Sequence, residues 1–272
     1  MSAQAPQTRL TVSRIRARKG GERVVCLTAY SAPIAKLLDP HVDLILVGDS
    51  AAMVVHGHET TLPLSLDAII LHAQAVVRAT RHALVVVDLP FGTYEAGPEQ
   101  AFMSASRVLK ETGASAVKLE GGQTMAASIA FLTARGVPVM GHIGLQPQSV
   151  QQNGYRAAGR RPEDWDKLAA DAGAVEQAGA FSIVLEATVE PLAERIAAQT
   201  KVPLIGIGAT AKCDGQILVV DDMLGLSMSG RVPSFVKKYA DLNGIIDAAI
   251  SAYAADVKAR RFPGPEHVIK NV

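Results

Sequence analysis

Four acidic residues close short apolar runs in this chain: Asp49 in LILVGDS, Asp88 in ALVVVDLPF, Glu120 in AVKLEGG and Glu186 in SIVLEAT. Each run has the length and the Val/Ile/Leu content of a buried strand, so each carboxyl group is delivered where its strand stops. Carboxylates that converge need something to offset their mutual repulsion, and a hard divalent cation is the usual partner. Oxygen ligands favour Mg²⁺ or a similar ion over zinc.

The individual residues divide as follows. Asp49 and Ser50 end strand two; they could hold a metal and touch a substrate oxyanion, or form an ordinary Gly-Asp-Ser turn. Asp88, stopped by Pro90, becomes a metal ligand if it lies beside Asp49 on the neighbouring strand, about 4.8 Å away. Lys118 and Glu120 are two apart on one strand and share a face. Burying them requires that they pair with each other or bind something. Their functional reading gives Glu120 to the metal, directly or through water, and Lys118 to a substrate carboxylate or enolate oxygen. His142, flanked by Gly141 and Gly144 at the end of strand five, is either a hydrogen-bonded core residue or a donor to substrate. Glu186 ends an apolar run that would raise its pKa and suit it to proton abstraction; a salt bridge to Arg156 or Arg160 is the alternative. His56 and His58 read as lid residues, and Asp221 and Asp222 as a helix N-cap.

A metal, a lysine and a glutamate base suit a small 2-oxo acid. The metal would chelate its carboxylate and keto oxygens and acidify the adjacent carbon. Loss of that proton leaves an enolate ready for carbon–carbon bond formation. Spacing alone does not choose the electrophile.

The elements that must place these residues alternate along the chain. Strands are expected at 24–30, 44–49, 84–89, 116–120, 138–143, 182–187, 203–207 and 216–220. Helices are expected at 32–38, 65–80, 98–112, 124–135, 162–177 and 191–199, with a final one from Pro233 to about Lys258. Eight such units predict an α/β fold, a closed (β/α)8 TIM barrel, with the active site at the strand ends. An open doubly wound sheet would need an early dinucleotide-binding glycine motif, and Gly206-Ile207-Gly208 comes late and lacks the third glycine. The stretch between strands seven and eight is too short for a full helix. The segments 50–63 and 144–161 should overhang the barrel mouth as lid or substrate loops. No composition shift marks a linker, so residues 1–272 read as one domain. Its start (about 1–10) reads as flexible, and a basic amphipathic helix from about Thr11 precedes the first strand and could plug the barrel bottom.

Bulk properties exclude several classes. A net charge of +1 without a basic, aromatic-rich stripe argues against nucleic acid. Two scattered cysteines, Cys26 and Cys213, make neither a disulfide framework nor a zinc site. No apolar run is long enough to cross a bilayer. Residues 1–21 hold no acidic residue, as in a transit peptide, but a short start before a basic helix accounts for them, and a cytoplasmic location is expected.

The chain also resembles the ketopantoate hydroxymethyltransferase family from about Thr11 to about His267. The motifs that carry the resemblance are VGDS (47–50), GHETTLP (57–63), DLPFGTY (88–94), VKLEGG (117–122), GHIGLQPQSV (141–150), GYRAAGR (154–160), VLE (184–186), IGIGA (205–209), DGQILV (214–219) and FPGPEH (262–267). The resemblance implies a (β/α)8 barrel assembled as a homo-oligomer, commonly a decamer. It implies transfer of a hydroxymethyl group from 5,10-methylenetetrahydrofolate to 3-methyl-2-oxobutanoate. That reaction is an aldol-type addition of a Mg-stabilised enolate, giving 2-dehydropantoate for pantothenate and coenzyme A synthesis. By position, Asp49, Asp88 and Glu120 match the metal-associated carboxylates. Ser50 and Lys118, with Asp49 and Asp88, match substrate contacts; His142 matches a pocket histidine and Glu186 the proton acceptor. Departures at Ala51-Ala52, Gln146, Asn153, 209–212 and Asp221 touch loops and leave the metal and base positions intact. The runner-up is a Mg²⁺-dependent carbon–carbon lyase of the isocitrate lyase and phosphoenolpyruvate mutase type. Those enzymes carry a catalytic-loop cysteine, which loops 50–63 and 144–161 lack. A non-catalytic barrel would have little use for Lys118, Glu120 and Glu186 together.

Overall fold

The computed structural model describes residues 9–226 and 232–269. Eight parallel strands close on themselves in chain order. They are β1 (Val24–Thr28), β2 (Leu44–Val47), β3 (Leu84–Asp88), β4 (Ala116–Glu120), β5 (Val139–Gly144), β6 (Ser182–Glu186), β7 (Leu204–Ile207) and β8 (Gly215–Leu218). Pairing of β1 with both β2 and β8 completes the ring. The helices are α1 (Val12–Arg16), α2 (Ala32–Leu38), α3 (Ala51–Val54), α4 (Leu66–Ala79), α5 (Pro98–Thr112), α6 (Ala126–Thr133), α7 (Val150–Asn153), α8 (Trp165–Gln177), α9 (Glu190–Gln199), α10 (Val220–Leu224) and α11 (Leu242–Lys258). As expected, no helix separates β7 from β8. The expected (β/α)8 barrel is thus the observed fold.

Local chemistry sets many of the boundaries. The Ser65 hydroxyl accepts the Ala68 N–H and opens α4. Pro98 opens α5, and Gly113, at φ 73°, closes it in the left-handed region. The last helix starts later than its proline suggests. The stretch from Pro233 to Ala240 is not helical, because the Asp241 side chain caps α11 at Gly244. Two loops expected to be irregular contain the short helices α3 and α7. Asp221 and Asp222 lie in the first turn of α10 rather than at its cap. Burial, followed by Asp222, pushes the Asp221 carboxyl up to about 6.

Side chains on each strand alternate between the barrel interior and the helix-covered outside. Val85, Val87, Val117, Leu119, Ile183 and Leu185 are fully buried on the outer side. The inner set forms one core: Val24, Cys26, Leu44, Leu46, Leu84, Val86, Ala116, Met140, Val184, Ile205 and Ile217. Ile15 of α1 and Leu10 join that same core, so the N-terminal segment stoppers the barrel at its lower end. Leu10 donates its N–H to the His82 carbonyl at 2.7 Å, and the Arg9 guanidinium reaches the Ala83 carbonyl at 2.9 Å. Arg9 and Leu10 are therefore anchored rather than flexible; residues 1–8 lie outside the described residues.

The chain groups into two compact units, residues 1–220, which hold the whole barrel, and residues 221–272. The second unit contains α11, a helix with no buried residue.

Removing the stopper tests this core. Ile15→Ala should cost about 2–5 kcal/mol, the usual loss for a fully buried isoleucine. Denaturant unfolding would read it, and a loss below about 1 kcal/mol would show that Ile15 does not close the barrel.

Candidate active site at the strand ends

The inward alternation continues upward into charge. Above Val86 comes Asp88, above Ala116 come Lys118 and Glu120, above Met140 comes His142, and above Val184 comes Glu186. Asp49 sits two residues past the end of β2. Asp49, Asp88, Lys118, Glu120 and His142 are all buried, and Glu186 is partly exposed.

Register brings neighbours level: Asp88 with Lys118, and Glu120 with His142. The Lys118 ammonium donates to Asp88 Oδ1 at 2.5 Å. The other Asp88 oxygen accepts the Asp49 N–H at 3.0 Å. A Cβ on Gly48 would meet Ser50 Oγ at 2.8 Å and Asp88 Oδ2 at 3.4 Å, so glycine lets this carboxylate approach the chain. Ser50 Oγ shares a 2.8 Å hydrogen bond with the Tyr30 hydroxyl. His142 stands between two glutamates, its Nδ1 3.4 Å from Glu120 Oε1 and its Nε2 3.3 Å from Glu186 Oε2. These are charge contacts without hydrogen-bond alignment, and both imidazole nitrogens and Glu120 Oε1 have no hydrogen-bond partner. At Gly144, φ is 93°, and a Cβ would meet the Glu186 carbonyl at 2.3 Å. Only glycine lets β5 pass so close to the residue level with it.

Burial and then Glu120 raise the Asp49 pKa. Burial also raises that of Asp88, against the opposing pull of Lys118. Burial lowers the Lys118 pKa, but Asp88, Glu120 and Asp49 outweigh it and the net shift is upward. For His142, burial and Lys118 push down, Glu120 and Glu186 push up, and the result is about 9.

The structure brings together Asp49, Ser50, Asp88, Lys118, Glu120, His142 and Glu186. Glu186 faces His142 rather than Arg156 or Arg160. His56 does not join the cluster; its Nε2 lies 2.8 Å from His72 Nε2. Three participants carry no charge and escape a search for acidic and basic residues: Tyr30, Tyr94 and Gln148. Tyr94 and Gln148 lie inside the motifs DLPFGTY and GHIGLQPQSV, which is the sequence signal available for them. The loop 144–161 also sends out Tyr155, whose hydroxyl lies 3.9 Å from Met53 Sδ on α3. Burial, then Asp49, Glu186 and Glu120, raise its phenol pKa.

The donor set fits a hard divalent cation. Four carboxyl groups face one ammonium and one imidazole, so two further positive charges would balance the fully ionised cluster. Among the described residues no three His, Cys, Asp or Glu side chains form a ready-made cage. Mg²⁺ does not require one, since it is commonly held by one or two carboxylates, with water and substrate oxygens completing its shell. Asp49 and Asp88 could supply the carboxylates, with the unpartnered Glu120 Oε1 reaching the ion through water.

The family model for ketopantoate hydroxymethyltransferase matches residues 9–265. The chain belongs to the ketopantoate hydroxymethyltransferase family. Its relatives in that family include a 3-methyl-2-oxobutanoate hydroxymethyltransferase from Paracoccus denitrificans (strain Pd 1222), 60% identical, covering 93% of this chain and 92% of the relative. Another of the same name, from Rhodospirillum rubrum, is 58% identical, covering 95% and 94%. Among solved structures, phosphonopyruvate hydrolase complexed with oxalate and Mg²⁺ superposes with a TM-score of 0.62 at 14% identity, covering 97% of this chain and 93% of the other. A 2,3-dimethylmalate lyase of the phosphoenolpyruvate mutase/isocitrate lyase superfamily gives 0.56 at 15%, covering 97% and 90%. At such identities the likeness establishes the fold of this ketopantoate hydroxymethyltransferase family member and nothing about its reaction. Among the described residues no helix is long and apolar enough to cross a membrane.

The imidazole gives a pH test. Its folded value of about 9 lies above the ordinary 6.5. Stabilisation from the charged ring is therefore fully present below pH 6.5 and is lost as pH rises through about 9. NMR titration of His142 in metal-free protein should find its midpoint well above 6.5; a midpoint at or below 6.5 would mean that the flanking glutamates do not hold its proton.

Proposed function

We propose that the chain transfers a one-carbon unit from 5,10-methylenetetrahydrofolate to 3-methyl-2-oxobutanoate, giving 2-dehydropantoate for pantothenate synthesis. Family membership and the names of relatives at 58–60% identity support this reading. The observation that carries it is the single buried cluster in which Lys118 pairs with Asp88 and His142 lies between Glu120 and Glu186.

Roles follow from position. Asp49 and Asp88 would hold Mg²⁺, with Glu120 associated through water. When bound, the ion would draw electrons from the keto group and acidify the neighbouring C–H. Ser50 and Lys118 would grip the acid's oxygens, the ammonium offsetting negative charge that grows on the keto oxygen. Glu186, the least buried acid of the group, would take the C3 proton. Its Oε2 lies 3.3 Å from His142 Nε2, so the imidazolium steadies the carboxylate before the proton arrives. The carbon so exposed forms a bond to the methylene unit. The two bonds from that carbon to folate N5 and N10 break, one water supplies the new hydroxyl, and the water's other proton and the proton taken from C3 end on the two folate nitrogens. The lyase alternative rests on the fold alone.

A cytoplasmic setting goes with this reading, which the buried free thiols of Cys26 and Cys213 suit. So does self-association, commonly a decamer in the family. Ile246, Ile250, Tyr253 and Val257 of α11 share one helix face and are all exposed, and an apolar row of this kind marks an interaction surface.

In D₂O with Mg²⁺ and 3-methyl-2-oxobutanoate, the protein should exchange deuterium at C3 without folate. Glu186→Gln should lose that exchange by about 100-fold or more, the usual contribution of a placed base, while still binding substrate. Exchange at the unmodified rate would remove Glu186 from the role. Light scattering should give a mass several times 28.6 kDa, falling in Ile246→Glu/Ile250→Glu; a monomeric parent protein would refute self-association.

A further inference from the structure

We propose that Gln148 is a positioning residue, an uncharged clamp that fixes Asp49 and Glu120 in the arrangement needed to share one cation. The proposal rests on the reading of those carboxylates as metal-associated.

Gln148 belongs to a short 3₁₀ turn, Pro147–Ser149, in the loop after β5. It is buried, 5% exposed, and its hydrogen-bonding capacity is fully used. Its main-chain N–H donates to Glu120 Oε2 at 3.0 Å. Its side-chain Nε2 donates to Asp49 Oδ2 at 2.9 Å and to the Leu89 carbonyl at 3.0 Å. Its Oε1 accepts from the Tyr94 hydroxyl at 2.6 Å. One residue thus binds an oxygen from each of two acids, Glu120 at the end of β4 and Asp49 just past β2.

The direction of the amide is determined by its surroundings. The Leu89 carbonyl can only accept, so the group facing it must be the NH₂. The Tyr94 oxygen already accepts the Glu120 N–H at 3.3 Å, which leaves its single proton for Gln148 Oε1. Burial, followed by Glu120 and Glu95, raises the Tyr94 pKa and keeps that proton in place. Both ends therefore specify the same orientation, with N–H toward Asp49.

A neutral clamp is also the right charge type. A lysine or arginine here would compensate the acids and compete with a cation. A carboxylate would add repulsion against Asp49 at under 3 Å. The side-chain amide fixes Asp49 Oδ2, the main-chain N–H fixes Glu120 Oε2, and neither adds charge. Glu120 Oε1 is left without an aligned hydrogen bond, its contact with His142 Nδ1 being a charge contact at 3.4 Å, so it keeps a lone pair for a metal-bound water.

The test measures Mn²⁺ affinity by electron paramagnetic resonance on full-length protein without substrates, beside C3 exchange and metal-free melting. Gln148→Ala and Gln148→Glu should each weaken Mn²⁺ binding by about 10- to 100-fold, the usual effect of losing a group that orients a ligand. Excess metal should restore much of the exchange rate. Tyr94→Phe should weaken binding by about 5-fold, one ordinary hydrogen bond. The double variant Tyr94→Phe/Gln148→Ala should be no worse than Gln148→Ala within about 2-fold, because the phenol acts through the amide. A purely structural Gln148 would lower melting and leave Mn²⁺ affinity unchanged, which overturns the proposal. If Gln148→Ala does not fold, Tyr94→Phe decides alone: weakened binding supports the clamp, and unchanged binding overturns it. Asp49→Asn runs beside them. If it weakens Mn²⁺ binding and the Gln148 variants do not, only the clamp falls; if it binds as the parent does, the metal assignment falls and the clamp with it.

Discussion

A lysine ammonium held against an aspartate inside a closed barrel is the contact around which the rest of the site is arranged. Lys118 and Asp88 lie level on adjacent strands, both nearly free of solvent. Deleting one partner of such a pair typically costs about 3–5 kcal/mol, because the survivor is left charged and unsolvated. Asp88 also receives the Asp49 N–H, so the pair fixes the exit of β2 as well. Around the rim the ionisable groups then alternate in sign. Asp88 is followed by Lys118, Glu120 by His142, and His142 by Glu186. Asp49 breaks the alternation, and burial together with Glu120 makes its ionisation costly. The place where a cation is most needed is therefore beside Asp49.

Much of this was legible in the chain. Runs such as ALVVVD and AVKLE have few ways to fold other than as strands covered on both faces, and eight of them with intervening helices leave little choice but a barrel. Period-two alternation put Lys118 and Glu120 on one face before any coordinate was known. What could not be read were relations between distant segments. Gln148 lies 99 positions from Asp49 in sequence, and a neutral amide in a loop carries no local sign of its partner. The alternation of charge around the rim was equally hidden, because it depends on which strands become neighbours. For that reason the sequence alone leaves His142 with two roles open, a core residue or a donor to substrate. Pro233 is a good first helical residue, whereas the cap at Asp241 depends on a side chain bending back to Gly244, so the late start of α11 has no clear sign in the sequence.

The likeness to phosphonopyruvate hydrolase at 14% identity shows how little of the reaction the barrel itself decides. Parallel strands and a hydrophobic interior set a ring of positions, and the side chains at strand ends and in the following loops set the chemistry. Here the loop after β5 is part of that apparatus. Leu145 N–H is bound to the Glu186 carbonyl, Gln148 reaches Asp49 and Glu120, and Ala158 bridges to Thr188 past the end of β6. The segment expected to overhang the mouth as a lid or substrate loop is held at Leu145, Gln148 and Ala158, and Tyr155 extends from it toward Met53.

The same two-residue alternation that fills the barrel with Val86, Ala116 and Met140 also aims Asp88, Lys118 and His142. Core and site are thus written in one reading frame. Losing or gaining one residue inside β4 would swap Lys118 and Glu120 for Val117 and Leu119, emptying the site and planting charges under the helices at a stroke. Descendants of this chain can vary strand residues by exchange, but length can change only in the loops. New specificities in such a lineage must arise there, while the staves of the barrel keep their count.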